Sequence, residues 1–497
     1  MKKEVLALLL IFAIAGFGLR IYGLGEQSFW IDEVYSSLAA KSILENGAPV
    51  MPSGQWYSRA ILHTSIVAVS MLVLGVSEFA ARLPSVFFGV LCIPLTYFFT
   101  RELFDKRVAL LASFFIAFST VEIAFSRQAR MYQQLQFFYL LSLFSFARFN
   151  KDASRKNLGL LVVSTLFSVF SHALGFVLLV IYPLHFVLKH LREAKKIKNI
   201  QLKGSSVNYL LLFVFVLVSG LLGQWRYNAI ARILGTQVNY LNEYLGYLTN
   251  YFPVMLYLAP LGALIALRNK KDVLLPVMAI ILPFYFVVFH QILIGFRYTF
   301  LFLPLVFVLA SLALIEFSDI VMSFLKTKKD FLEQAKVLVP LLITISVLAT
   351  TPLLTTNLES EYYLEPSAPQ PDFKNVYSGL RKMVNEGDLL IVSYPEVALW
   401  YGFKPDYWMA FSISGFPVEN ALDEQGNYKR TVTPAIRTSE ELEFVYENSS
   451  RGFIVLDSMA GKRIGGRWEF IRNNTQWLSN ISKPGDAGGI NAYFWKH

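Results

Sequence analysis

The chain alternates long apolar runs with short polar or basic breaks as far as about Thr355, and then changes character. An apolar run of about 20 residues crosses a bilayer as a helix. Runs near residues 4–20, 84–100, 108–125, 135–149, 158–171, 173–188, 207–225, 252–267, 273–290, 299–317 and 337–355 predict eleven transmembrane helices. A further run, Ile61 to Leu74, is about 14 residues long and short for a span. It reads as an interfacial or re-entrant helix on the outer face. The first run follows Lys2 and Lys3 as a signal peptide would, but no small-residue cleavage site comes after it, so it reads as a retained helix.

Beyond Thr355 the pattern is that of soluble protein. Pro366, Pro369 and Pro371 mark a stiff linker over 356–371. Two strand-like runs, Asp388 to Ser393 and Gly452 to Asp457, with a helical stretch at Asn375–Asn385, predict a small α/β domain over 372–497. The fold class expected is therefore a polytopic α-helical membrane protein with a C-terminal extracytoplasmic α/β domain. Its membrane domain covers 1–355 and its first outer loop 23–82. A loop that long without structure of its own is usually functional.

Charge orients the helices. The chain carries a net charge of +10, and its mean hydropathy is +0.47. With the N-terminus inside, the inner segments collect 22 Lys and Arg and the outer loops 8. That bias obeys the positive-inside rule. The excess charge is thus a topology signal, and nucleic acid is not an expected partner. The C-terminal segment falls outside the cytoplasm, where three Asn-x-Ser/Thr sequons, at Asn448, Asn473 and Asn480, also lie. A plasma-membrane location is expected. The single Cys92 rules out an intrachain disulfide.

Three stretches on the outer side could carry chemistry. Asp32 and Glu33 sit in Phe29-Trp-Ile-Asp-Glu-Val-Tyr35, just after the first span. A carboxylate beside hydrocarbon is costly and tends to be functional; it could serve as a general base on a hydroxyl. The same pair also suits a plain helix N-terminus. Arg127 and Arg130 would share one face of a helix, with Tyr132 close by, and Arg is the residue for bidentate phosphate contacts. Membrane anchoring is the other reading of these side chains. Arg297 and Tyr298 stand at the outer mouth of the tenth span, where Arg297 suits an anionic headgroup or simple snorkelling. Arg59, His63, Glu122, Gln128 and His172 are secondary candidates. No His/Cys cluster has metal-ligand spacing, and neither a P-loop nor a G-x-S-x-G motif occurs. No cofactor is expected, although Asp32, Glu33 and Glu122 could together offer oxygen ligands to a divalent cation.

From Phe29 to about Phe149 these motifs resemble the GT-C glycosyltransferases of the dolichyl-phosphate-mannose-protein mannosyltransferase and lipid A aminoarabinose transferase group. The resemblance rests on Asp32-Glu33, on Ser77-Glu-Phe-Ala-Ala-Arg-Leu-Pro-Ser85, on Arg101-Glu-Leu-Phe104 with Arg107, and on Ala129-Arg-Met-Tyr132. Beyond residue 150 only the hydropathy and Arg297-Tyr298 match. Gln128 stands where relatives often carry Glu, and Arg59-Ala-Ile-Leu-His-Thr64 replaces the family's His-Pro-Pro-Leu-Tyr-Tyr segment. Glu122 could make good the carboxylate lost at Gln128. The resemblance implies an inverting sugar transfer from a polyprenyl-phosphate donor to a protein, lipid or glycan acceptor on the extracytoplasmic face. It assigns Asp32 as the base, with Glu33 beside it, and gives the donor phosphate to Arg127, Arg130, Tyr132, Arg297 and Tyr298. A flippase for a lipid-linked glycan, or a non-catalytic scaffold, would use the same arginines without chemistry. No internal repeat of the transporter kind is present.

The charge bias makes a direct prediction. In a background lacking Cys92, a Cys placed at Asn473 should react with an impermeant thiol reagent on intact cells, and one at Lys195 should not. The reverse pattern would invert the topology and put the candidate residues on the wrong face.

Overall fold

The computed structural model describes residues 3–194, 237–269, 272–290, 294–325, 372–412, 417–482 and 489–497. The expected spans at 207–225 and 337–355 and the linker at 356–371 lie outside the described residues. Along the chain the helices are α1 (Lys3–Ile21), α2 (Ile31–Asn46), α3 (Ile61–Leu74), α4 (Glu78–Leu103), α5 (Lys106–Phe118), α6 (Thr120–Ser126), α7 (Tyr132–Lys151), α8 (Arg155–Ser171), α9 (Leu178–Ala194), α10 (Leu241–Tyr251), α11 (Pro253–Arg268), α12 (Leu274–His290) and α13 (Leu303–Leu325). The C-terminal segment adds α14 (Phe373–Leu380), β1 (Leu389–Val392), α15 (Pro395–Trp400), β2 (Tyr407–Met409), β3 (Asn427–Tyr428), β4 (Thr433–Ile436), α16 (Ser439–Glu447), β5 (Arg451–Asp457), α17 (Ser458–Arg463), α18 (Gly466–Asn474), β6 (Gln476–Trp477) and β7 (Ile490–Lys496).

Each of the nine expected spans within the described residues falls on a helix or a broken helix. By length and composition, three helical segments could cross a membrane, or up to five if each of two bent pairs counts as one span. Several of the others are shorter than a straight crossing requires. The bends are 57° between α5 and α6 and 102° between α10 and α11. The expected helix at Asn375–Asn385 begins earlier, at Phe373, and ends at Leu380. The three sequon asparagines are all exposed.

The molecule divides into two compact units. The first holds Met1–Tyr22, Ser85–Ser126 and Met131–Thr356; the second holds Gly23–Pro84, Arg127–Arg130 and Asn357–His497. The sequence places a boundary in 356–371. The compact grouping in addition joins the first outer loop and a four-residue turn to the C-terminal segment.

In the first unit, local chemistry starts the helices where the hydropathy does. Asp105 accepts from the Arg107 and Val108 N–H groups at the head of α5, and Ser154 caps α8; such caps satisfy donors that the helix leaves open. The α5–α6 bend needs a different remedy, because a break strands the carbonyls just before it. Arg20, fully buried on α1, donates to the carbonyls of Ile116 (2.8 Å) and Ala117 (2.9 Å) and to Ser126 Oγ (3.0 Å). A charge this deep in an apolar helix is otherwise expensive. Helices α11 and α13 touch backbone to backbone: a Cβ on Gly262 would collide with the Leu309 carbonyl.

The second unit is built on a seven-stranded sheet of order β3-β4-β2-β1-β5-β7-β6. Strands β4, β2, β1 and β5 run parallel, and β3, β7 and β6 are antiparallel additions at the two sides. Strand β1 pairs Leu389–Val392 with Gly452–Val455 of β5, and both are apolar throughout because both faces are covered. One apolar core contains Ile391 and Val455 of the sheet together with Phe29, Val34, Val67 and Met71 of the outer loop. The Phe29 ring lies 5.1 Å from Trp400 of α15. Helix α3 buries Val67, Ala68 and Met71 and exposes Val69, Leu72, Val73 and Leu74, the two-faced surface that an interfacial helix offers to lipid.

The close approach at Gly262 is testable by thermal unfolding in detergent. Gly262→Ala should destabilise by about 1–3 kcal/mol, the usual cost of overpacking. Gly246→Ala, where a Cβ meets nothing within 4 Å, should be neutral or slightly stabilising. Equal melting temperatures for the two variants would show that α11 and α13 can part freely.

Candidate functional site

The paired carboxylates open helix α2, and their environments differ. Trp30 precedes the helix in extended conformation, and Glu33, three residues on, reaches back to the Trp30 N–H at 3.4 Å. This fastens the first turn. Glu33 is fully buried and bound by Arg82, itself fully buried near the start of α4. Arg82 Nε meets Glu33 Oε1 at 2.8 Å and Nη2 meets Oε2 at 2.8 Å, a bidentate fork. Its other three N–H groups go to the carbonyls of Leu24 (3.0 Å), Gln27 (2.8 Å) and Ser28 (3.0 Å). All five guanidinium donors are therefore used. The Phe29 ring lies 4.8 Å from the guanidinium carbon.

Glu33 also accepts the Ala129 N–H at 2.8 Å. That bond pins the turn between α6 and α7. Residues 127–130 are not helical, which corrects the expectation that Arg127 and Arg130 share one helix face. With the Ala129 N–H turned to a side-chain carboxylate, the chain leaves the helix there. Arg130 is carried instead against α2: Nη1 donates to the Asp32 carbonyl (3.0 Å), Ser36 Oγ (2.9 Å) and Tyr57 Oη (3.3 Å). Its Nη2 lies 3.4 Å from the Asp32 carboxylate. The Asp32 side chain keeps 21% of its exposure, against 3% for Arg130 and none for Glu33. Arg127 is buried and donates to the Gly23 carbonyl at 3.3 Å.

The other expected residues are distributed as follows. In the second unit, Arg59 is exposed ahead of α3, His63 is buried on α3, and Gln128 is buried in the turn. In the first unit, Tyr132, His172 and Tyr298 form a ring cluster with centroids 5.9 to 6.4 Å apart, and the Arg297 guanidinium lies 5.3 Å from the Tyr298 ring. His172 Nδ1 accepts the Leu174 N–H at 3.2 Å. Glu122 is fully buried in the same unit and accepts from Gln136 Nε2 at 2.9 Å; Gln136 in turn accepts from Gln133 at 2.8 Å. Among the described residues no group of three or more His, Cys, Asp or Glu side chains is placed to hold a metal ion.

Arg82, Ser36 and Tyr57 were not among the candidates read from sequence. For Arg82 a signal did exist. The topology expected from charge places it on the outer side against the charge rule, with Arg127 and Arg130, in the apolar context Ala80-Ala-Arg-Leu-Pro84. Ser36 and Tyr57 carry no sequence signal of their own.

Residues 58–220 match a family model described as dolichyl-phosphate-mannose-protein mannosyltransferase. No curated protein matches the whole-chain sequence significantly. Among solved structures, the chain is similar to the oligosaccharyltransferase AglB of Archaeoglobus fulgidus, solved with an inhibitory peptide and a dolichol-phosphate. The TM-score is 0.60 at 14% identity, covering 96% of this chain and 73% of that one. It is also similar to ArnT of Cupriavidus metallidurans bound to undecaprenyl phosphate, with a TM-score of 0.57 at 14% identity, over 99% of this chain and 97% of that one. The chain is a polytopic membrane protein with the GT-C fold, and the resemblance read from residues 29–149 agrees with both comparisons.

The ion pair makes an expected outcome concrete. Arg82→Ala leaves Glu33 buried without its partner and should cost about 3–5 kcal/mol. Glu33→Met combined with Arg82→Leu should recover only part of that loss, because the desolvation penalty goes with the charges but the carbonyls of Leu24, Gln27 and Ser28 and the Ala129 N–H lose their partners. Melting temperatures of the three forms in detergent decide it. An Arg82→Ala form as stable as the parent would mean that the pair organises nothing.

Proposed function

We propose that the chain transfers a sugar from a polyprenyl-phosphate carrier to the hydroxyl of a glycan, lipid or protein acceptor, on the extracytoplasmic face of the plasma membrane, with Asp32 as the general base. The observation that carries this reading is the asymmetry of the carboxylates. Glu33 is enclosed and bound on both oxygens by Arg82, whereas Asp32 meets Arg130 at 3.4 Å and stays one-fifth open. Only Asp32 has room to take a proton from an incoming hydroxyl.

In this mechanism the acceptor O–H gives its proton to an Asp32 oxygen as the acceptor oxygen bonds to the anomeric carbon. The bond from that carbon to the phosphate oxygen breaks on the opposite side, and its electron pair leaves with the polyprenyl phosphate, so the configuration inverts. Arg130 favours the ionised form of Asp32 and holds its helix turn in place. Glu33 and Arg82 orient both. Arg297, Tyr132 and Tyr298 are the groups proposed for the donor phosphate, where fixed positive charge and hydroxyl donors stabilise the developing oxyanion. The reading requires no cofactor. The carriers held by the two structural neighbours, a dolichol-phosphate and undecaprenyl phosphate, support a lipid-phosphate donor here.

The test is Asp32→Asn, which keeps the shape and removes the base. Glycoconjugates from a deletion strain, compared by mass spectrometry, identify the missing sugar. Complementation with the parent chain should restore it. Transfer by purified Asp32→Asn should fall about 10²–10⁴-fold, with donor binding retained. Near-normal transfer by this variant would remove the assignment.

A further inference from the structure

A second arginine packs on helix α2 at Tyr35, three residues on from Asp32, and it comes from the C-terminal segment. Glu396, at the start of α15, is fully buried; its Oε1 accepts from the Tyr428 hydroxyl at 2.7 Å and lies 3.8 Å from Arg430 Nη1. Its Oε2 is buried and meets no hydrogen-bond partner among the described residues. The Arg430 guanidinium carbon lies 4.1 Å from the centre of the Tyr35 ring, and the Tyr35 and Tyr428 hydroxyls are 3.5 Å apart. The Arg430 carbonyl is itself held by the Ser53 N–H at 3.0 Å. Tyr35 follows Asp32 by three residues on α2, so the two share a helix face. Arg430, stacked on Tyr35, is therefore within electrostatic reach of Asp32. Its side chain is 29% exposed.

We propose that Arg430 is a positioning residue for Asp32: clamped between the Tyr35 ring and the buried Glu396, it adds to Arg130 a second fixed cation beside the proposed base. This rests on the function proposed above. The groups that set the charge around Asp32 are then Glu33 and Tyr35 on its own helix, Arg130 of the 127–130 turn with Tyr57 behind it, and Arg430, Tyr428 and Glu396 of the C-terminal segment. Burial pushes the Glu396 carboxyl up from its ordinary range, against the pull of Arg430 and the Tyr428 hydroxyl. Arg carries this role better than Lys, because only a planar guanidinium can lie on Tyr35 and still reach a carboxylate.

Dicyclohexylcarbodiimide modifies protonated carboxyls, and peptide mass spectrometry reads the modification of Asp32 in the full-length protein without any substrate. In Arg430→Gln the pH at which half of Asp32 is protected should rise by about half a unit or more, roughly threefold in the protonated-to-ionised ratio. Arg430→Lys should shift it less, and Tyr35→Leu, which removes the platform, should resemble Arg430→Gln. If Arg430→Gln does not fold, the other two variants decide. Protection curves that superimpose on the parent's overturn the proposal, even if the melting temperature falls, since that would be packing alone. In sugar transfer the acid limb of kcat/KM should move with the protection curve. A parent chain that transfers no sugar defeats the proposed function, while the labelling still reports whether Arg430 acts on Asp32.

Discussion

A carboxylate and a guanidinium shut away from water destabilise a protein unless their donors and acceptors are met. The Glu33–Arg82 pair satisfies that condition with unusual completeness, and much of the candidate site follows from it. Each of the five Arg82 N–H groups has an acceptor, and three of these are backbone carbonyls of the stretch from Leu24 to Ser28. The path by which the chain enters helix α2 is thereby fixed. The Glu33 carboxylate then reaches the Ala129 N–H and brings a turn more than ninety residues away against the same helix. Asp32 and Arg130 face each other because of bonds made by their neighbours. The geometry of that pair is set one residue away on each side, at Glu33 and Ala129.

The same economy of charge governs the membrane unit. Arg20 is fully buried, yet its donors are spent on carbonyls that the α5–α6 bend leaves open and on Ser126. Gln133, Gln136 and Glu122 extend the same buried polar chain, which Ser126 joins by donating to Gln133 Oε1 at 3.0 Å. In hydrocarbon, non-helical backbone is tolerated only where the protein supplies replacement partners. A bent helix in this unit and a buried arginine are thus two parts of one solution. The glycine at 262 shows the complementary strategy, in which α11 and α13 approach by removing a side chain instead of pairing one.

In the second unit the sheet and the outer loop share one apolar core, so the C-terminal segment is more than an appended domain. Its parallel centre, β4-β2-β1-β5, delivers the start of α15 and the β3 tyrosine to the neighbourhood of α2. Glu396 and Tyr428 are distant in sequence from Asp32, but the packing of α15 on α2 makes them its electrostatic surroundings. The role proposed for Arg430 is a consequence of that packing.

Hydropathy along the chain was enough to show a many-helix membrane protein followed by an α/β segment, because a bilayer acts on runs of residues and needs no tertiary contacts. Asp32, Glu33 and Arg130 also stood out as candidates, since charges beside hydrocarbon are conspicuous against an apolar background, and the structure brings the three together. The sequence could not say which carboxylate is the open one. Asp32 and Glu33 are adjacent and chemically alike, and only the arrival of Arg82 and Ala129 separates a structural acid from an accessible one. Nor could it show that Arg127 and Arg130 leave the helix, because the N–H that breaks the helical pattern is claimed by a side chain 96 positions earlier. Arg20 and Arg430 were hidden for the same reason. An arginine's meaning depends on where its five donors go, and those partners are brought together only when distant segments pack.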